Sequence, residues 1–412
     1  MTKTIKLALV AALALGATSA FATNGTSLIG YGAKSRAMGG TGVSHFQGAE
    51  SAFNNPALLS QAKGTEVSIG GTYFAPDVSN ELSAGFGPAA GTYESTASAS
   101  MIPAVSMATK INDSFAWGLA LYGVGGMGVD YRDDNVGSAA GGAPGAGLGG
   151  SGLPTANDNL LLMRFSAPFA YNISGFSIGI APVIEYGALA MNDMFGTPGI
   201  TTDIAFGYEL GMTYDFKAIG VDGLSIGLDY KAAVEHDFKN TFASVAPGAA
   251  ASTVQSKLDT PSIFVAGASY TMGESTIALD YKLIGYSSAA GLEDFDWEDQ
   301  SVIAVGYEYA TKDWAARIGY NYGASPLPEV SNTFDNANQV VGSLLAFPAV
   351  TETHITIGGS YNFSEATSID GAFVYGTGDQ TSTDVNPVGP GDQIITATND
   401  QISATVAVNF NF

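Results

Sequence analysis

The chain has 412 residues, 15 basic against 38 acidic side chains, 53 glycines and no cysteine. A net charge of −23 argues against nucleic acid as a partner, because phosphate binding needs clustered Lys and Arg. The missing cysteines exclude a disulfide scaffold and thiolate metal or redox chemistry.

Lys3 and Lys6 precede an apolar run from Leu7 to Leu15 and an Ala20-Phe21-Ala22 cleavage pattern, so residues 1–22 read as a secretory signal peptide. Cleavage there leaves 13 basic against 38 acidic residues, a net charge of −25. No later stretch approaches the roughly 18 to 20 apolar residues of a transmembrane helix, so any membrane crossing must be made by strands.

Residues 23–63 lack strand periodicity and are rich in Gly, Ser and Ala. Two parts stand out: Gly30 to Gly42 and the run Asn54-Asn55-Pro56-Ala57-Leu58-Leu59. Pro56 pre-sets its own backbone angle and the Asn55 side chain can bond local backbone, making a stiff corner; Asn55, Pro56 and Ala57 are candidates for plug anchoring or gating. No strand precedes the glycines and no Gly-Lys-Ser/Thr follows, which excludes a phosphate loop.

From residue 64 onward the chain alternates. About fourteen segments near the roughly 9 to 11 residues of a tilted membrane strand are expected: 65–74, 100–110, 115–123, 159–171, 176–187, 202–215, 224–235, 260–271, 275–287, 299–310, 314–323, 351–363, 367–377 and 400–412. In the last of these, Ile402, Ala404, Val406, Val408, Phe410 and Phe412 alternate with mostly polar residues. Strict alternation means that the two faces meet different solvents, as in a barrel with lipid outside and a polar lumen inside. Short turns such as Asn112-Asp113, Gly273-Glu274 and Ser364-Glu365 alternate with long connections after Gly123, Glu235, Gly323 and Thr377. That asymmetry puts both termini at the periplasmic end. Asp-Tyr-Lys occurs at 229–231 and again at 280–282, aiming an acid and a base inward each time. Arg164, Glu185, Glu209, Glu308, Arg317 and Asp370 fall on the same inner face, while Trp117, Tyr186, Tyr214, Tyr270, Trp314, Tyr322 and Tyr375 sit near strand ends, where amphipathic rings favour the interface.

Together, Gly30-Tyr31-Gly32-Ala33-Lys34-Ser35-Arg36-Ala37-Met38-Gly39-Gly40-Thr41-Gly42, the Asn-Pro-Ala motif, Ile111 to Gly118 and the terminal Phe resemble the FadL/TodX family of outer-membrane transporters. The likeness covers essentially the whole mature chain. It implies a hatch of short helices, residues 23–63, inside an all-β antiparallel transmembrane barrel of about fourteen strands, residues 64–412. It also implies a Gram-negative outer-membrane location and passive uptake of long-chain fatty acids or aromatic hydrocarbons, with a lateral exit through the wall. Pro103, Pro168 and Pro182 remove ladder donors and are kink candidates for such an exit. A fatty-acid docking hairpin after the fifth strand is replaced here by only Leu189 to Thr201. The longer loop after the third strand is half glycine from Gly137 to Gly152, too flexible for a rigid groove.

Three apolar places could receive a ligand: the run Val340, Val341, Leu344, Leu345, Phe347 and Val350; the group Met191, Met194 and Phe195; and Leu160 with Leu162, which break the polar inner face of the fourth strand. The expected partners are a hydrophobic small molecule and outer-membrane lipid, the chain acting as a monomer. A general porin for polar solutes and an adhesive or structural barrel are the rival readings. His45, His236 and His354 show neither Ser-His-Asp order nor His-x-x-x-His spacing and read as ordinary polar residues; no enzyme activity, metal or cofactor is expected.

Overall fold

Alternating strands can satisfy both faces only if the sheet separates an apolar exterior from an inner compartment, and an open sheet would leave two unpaired edges. The computed structural model, which describes residues 23–131, 157–192, 199–239, 256–328, 343–345, 347–382 and 391–412, shows one closed antiparallel barrel of 14 strands. In chain order these are β1 (Thr65–Leu82), β2 (Gly91–Glu94 and Ser100–Lys110), β3 (Phe115–Asp130), β4 (Asn157–Ser166 and Phe169–Ile173) and β5 (Phe176–Asn192). The next five are β6 (Ile200–Asp215), β7 (Leu224–Lys231), β8 (Ser262–Met272), β9 (Ser275–Gly285) and β10 (Gln300–Ala310). The wall ends with β11 (Trp314–Gly323), β12 (Thr353–Ser364), β13 (Thr367–Thr377 and Asp379–Thr381) and β14 (Ile395–Asn411). β14 closes on β1 in unbroken register from Glu66 opposite Asn411 to Leu82 opposite Ile395.

Faces follow the sequence. On β7, Ile226, Leu228 and Tyr230 stand outward while Asp229 and Lys231 are buried inside; on β9, Ile277, Leu279, Tyr281 and Leu283 face out and Asp280 and Lys282 in. Several strands run past their expected ends. Beyond Tyr73 the outer face of β1 changes to Ala75, Asp77, Ser79 and Glu81, and β14 begins at Ile395, with Thr396, Thr398 and Asp400 off its buried face. These stretches continue the ladder without an apolar outer face. β3 likewise reaches Asp130, where a loop is expected after Gly123, whereas β7 stops at Lys231 instead of 235.

The segment from Thr23 to Ala62 lies inside the barrel, nearly all of it buried. It carries α1 (Ala33–Ala37) and two 3-10 turns, Glu50–Phe53 and Pro56–Gln61. Of the three prolines expected to kink the wall, only Pro168 sits at a break, between the two halves of β4. Pro103 and Pro182 stay in register opposite Gly71 and Tyr208. The irregularity of the β3–β4 ladder lies instead between Gly123 and Gly125.

Candidate functional site

The plug is held by wall side chains that reach its backbone. Asn55, extended ahead of Pro56, accepts from the Ala57 N–H at 3.0 Å and so caps the second 3-10 turn. Its Nδ2 donates to Val43 O (2.8 Å), Met212 O (3.3 Å) and Leu228 O (3.2 Å), tying the corner to β6 and β7. Close approach depends on wall glycines: a Cβ at Gly211 would come within 2.0 Å of Asn55 Oδ1, and one at Gly227 within 2.0 Å of Val43 O.

Both Asp-Tyr-Lys strands serve this seat. Asp280 accepts from the N–H groups of Gly42 (2.8 Å) and Val43 (3.1 Å), and Lys282 donates to Ile29 O. Lys231 donates to Phe53 O at 3.2 Å and pairs with Glu209 and Asp229. Asn321 donates to Gly39 O (3.0 Å), and the Gly39 N–H donates to Thr356 Oγ1 (2.9 Å). Within the plug, Glu50 accepts from the Ala33 and Lys34 N–H groups at 3.0 and 3.1 Å, and burial together with nearby Asp370 pushes its carboxyl above the usual range. His45 bonds Gln47, and burial lowers its imidazole from 6.5 to about 4.

Nearer the long-loop end, Arg164 pairs with Glu185 at 2.6 Å. Glu185 also takes Thr260 Oγ1 and His236 Nε2, the latter at 3.2 Å, while His236 Nδ1 lies 3.4 Å from Asp203. His236 is wholly buried and stacked on Phe238. It is a structural polar residue: the two carboxylates hold the segment after β7 against the inner wall. His354 is buried as well, beside Gln401.

Above this network lies an apolar chamber of about 10 Å³, room for about one water. Its floor includes Thr26 of the plug, and its wall Met127 of β3 with Leu160 and Leu162 of β4. Its roof is Leu258, Asp259, Leu292 and Phe347 from the loop side. The structure thus joins two of the expected apolar places, since Leu160 and Leu162 meet Phe347. Leu344, Leu345, Phe347 and Val350 are 0%, 4%, 6% and 0% exposed and belong to the interior cluster. Met191 stands in β5 opposite Asp158, but its side chain lies outside the described residues, as do Met194, Phe195, Val340 and Val341 in full. Met127 and Asp259 escape sequence reasoning. Met127 sits in a glycine-rich run that resembles a loop, and Asp259 has no pattern of its own before β8. A second cavity, about 30 Å³, lies lower, between the plug and Lys231, Asp280 and Lys282.

Beside the chamber, the N-terminal plug segment inserts into the β3 irregularity. Gly126 N–H donates to Thr26 O at 3.0 Å, and Ser27 bridges Gly125, where any Cβ would come within 2.4 Å of Thr26 O.

The sequence profile of the outer membrane protein transport proteins (OMPP1/FadL/TodX) matches residues 7–146 and 200–412. The chain belongs to this family. It is a Gram-negative outer-membrane barrel of a transport family. It is 24% identical over 369 residues to a 47 kDa outer membrane protein of Pasteurella multocida, covering 78% of this chain and 79% of that one. A 79-residue stretch is 49% identical to an uncharacterized protein of Chlorobium limicola encoded upstream of phosphoenolpyruvate carboxykinase; it spans 19% of this chain and 39% of that protein. The fold is that of the Pseudomonas putida toluene transporter TodX, at 19% identity, TM-score 0.66 and coverage of 93% and 99% of the two chains.

Proposed function

We propose that this FadL/TodX-family barrel takes up hydrophobic small molecules passively, through the chamber lined by Leu160, Leu162, Met127 and Phe347. The observation that carries this is an apolar chamber set above the plug, whereas the lower cavity is bordered by Lys231, Asp280 and Lys282. Apolar lining rewards hydrocarbon and not sugar. One protein of the same fold is a toluene transporter.

As it stands, the chamber is too small for a hydrocarbon, so capture requires the Phe347 and Leu292 side to lift or the Thr26 segment to withdraw. Withdrawal of Thr26 to Leu28 would also free the β3 irregularity beside the chamber, the natural place for release through the wall. Residues 1–22 act as the leader, 23–63 as the plug and 64–412 as the barrel, which works as a monomer in outer-membrane lipid. No chemical step is involved. A general porin is the weaker reading because the plug fills the lumen, and an adhesive barrel would have no use for the chamber.

Burying a side chain of Leu or Phe size against ligand contributes about 1.5 to 3 kcal/mol. Leu162→Ser and Phe347→Ser should therefore each weaken capture of labelled alkylbenzenes by roughly ten- to a hundredfold. Uptake would be measured in cells lacking their own transporter, with the gel heat shift confirming a folded barrel. Wild-type cells that admit small sugars at porin rates and no alkylbenzene would overturn the reading.

A further inference from the structure

One group in the chamber contradicts its apolar character. Asp259, 9% exposed, stands in the roof among Leu258, Leu292 and Phe347. Its backbone N–H donates to Ala290 O at 2.9 Å, and its Oδ2 accepts from the Ala290 N–H at 3.3 Å, so the carboxylate is held in place. The other oxygen, Oδ1, is buried and has no hydrogen-bond partner. A buried acceptor without a donor is costly, and such exceptions call for a reason. No Lys, Arg or His is among the described residues that line the chamber.

We propose that Asp259 sets the substrate class: the chamber takes a neutral hydrophobe that carries a hydroxyl group and turns away carboxylates. The inference rests on the uptake reading above and narrows it. A hydroxyl on an alkyl or aromatic body would give its one proton to Oδ1 while the body fills the space between Leu160, Leu162 and Phe347. A fatty acid anion would bring a second negative charge against Asp259 with no cation to meet it. An ammonium group would leave two N–H donors unmatched and lose its hydration in an apolar space, so a hydroxyl fits better. Burial raises the Asp259 carboxyl from 3.8 to about 6. Glu235 acts in the same direction and Lys257 against it; these two form an ion pair of 3.7 Å at the rim, and the nearby backbone of His236 also favours the charged form. At neutral pH the group is thus ionised, and it becomes neutral on mild acidification.

The test uses the full-length protein in detergent and calorimetry with 4-ethylphenol, ethylbenzene, 4-ethylbenzoate and 4-ethylbenzylammonium at about pH 8 and again at about pH 5. At the higher pH, 4-ethylphenol should bind about tenfold tighter than ethylbenzene, and 4-ethylbenzoate at least about tenfold weaker than ethylbenzene. In Asp259→Leu the phenol should lose its advantage while ethylbenzene binds at least as well as before. In Asp259→Asn the held oxygen leaves the amide N–H groups toward the chamber, so 4-ethylbenzoate should gain. For wild type alone, 4-ethylbenzoate, still ionised at the lower pH, should recover affinity on acidification. Equal binding of phenol, hydrocarbon and benzoate, unchanged by Asp259→Leu, would overturn the specificity role and leave hydrophobe uptake standing. Ammonium bound more tightly than phenol would overturn the hydroxyl assignment. Failure of ethylbenzene itself to bind would remove both readings.

Discussion

At the scale of single residues, glycine and asparagine decide how near the plug lies to the wall. Gly211 carries no Cβ because Asn55 Oδ1 occupies that space, and the Asn55 amide donates to three carbonyls. Asn55→Ala should cost about 1 kcal/mol for the lost cap and more for the stranded carbonyls. Gly211→Val should push the same corner away by overpacking, at a cost of about 1 to 3 kcal/mol. Both are expected to raise resting conductance in planar bilayers while leaving the heat shift of the barrel intact; a silent Gly211→Val would mean that the corner is not seated as described. The capping role of Asn55 and the rigid Pro56 are legible in the sequence, because they use local geometry. The matching glycines are not, since Gly211 lies 156 residues further on in a strand where any small residue would read equally well.

Among elements, the plug responds to acid through His45. Its imidazole is held at about 4 by burial, against 6.5 when free; Lys34 and Arg317 lower it further and Glu308 raises it. Between these values the unfolded or unseated segment binds the proton that the seated one refuses, so seating weakens as pH falls from about 6.5 to about 4. Glu50 works in the opposite direction, because its raised carboxyl takes up a proton more readily when seated. Conductance should therefore climb more steeply on acidification in Glu50→Gln, where Glu50 no longer offsets His45, and the added steepness should vanish when His45→Asn is combined with it. Strand elements were readable wherever lipid imposes alternation, as from Ile402 to Phe410. They are not legible where the wall rises beyond lipid, as at Asp77 to Glu81 and Thr396 to Asp400, because there the ladder alone defines the strand. The candidate site shows the same division. Leu160 and Leu162 betray themselves by breaking a polar face and Phe347 by standing in an apolar run, whereas Asp259 reaches the chamber from a loop whose course no periodicity records.

For the whole molecule, a barrel of this size encloses a water-wide lumen unless something fills it. Deleting Thr23 to Gln61 behind the intact leader should open a large, weakly selective conductance and sensitise cells to bulky polar antibiotics. Unchanged conductance in a correctly inserted deletion would place the closure elsewhere.

The plug's partners also bear on how the protein is made. The segment is synthesised first, yet its donors and acceptors are spread around the ring: Asp280 on β9, Asn321 on β11, Thr356 on β12, and Ser403 on β14, which accepts from Arg36 at 2.6 Å. A half-assembled sheet offers it no complete berth, and contacts of such sequence separation form late. The berth is therefore complete only once β14 has joined the ring, so full seating of the plug can come no earlier than closure of the wall.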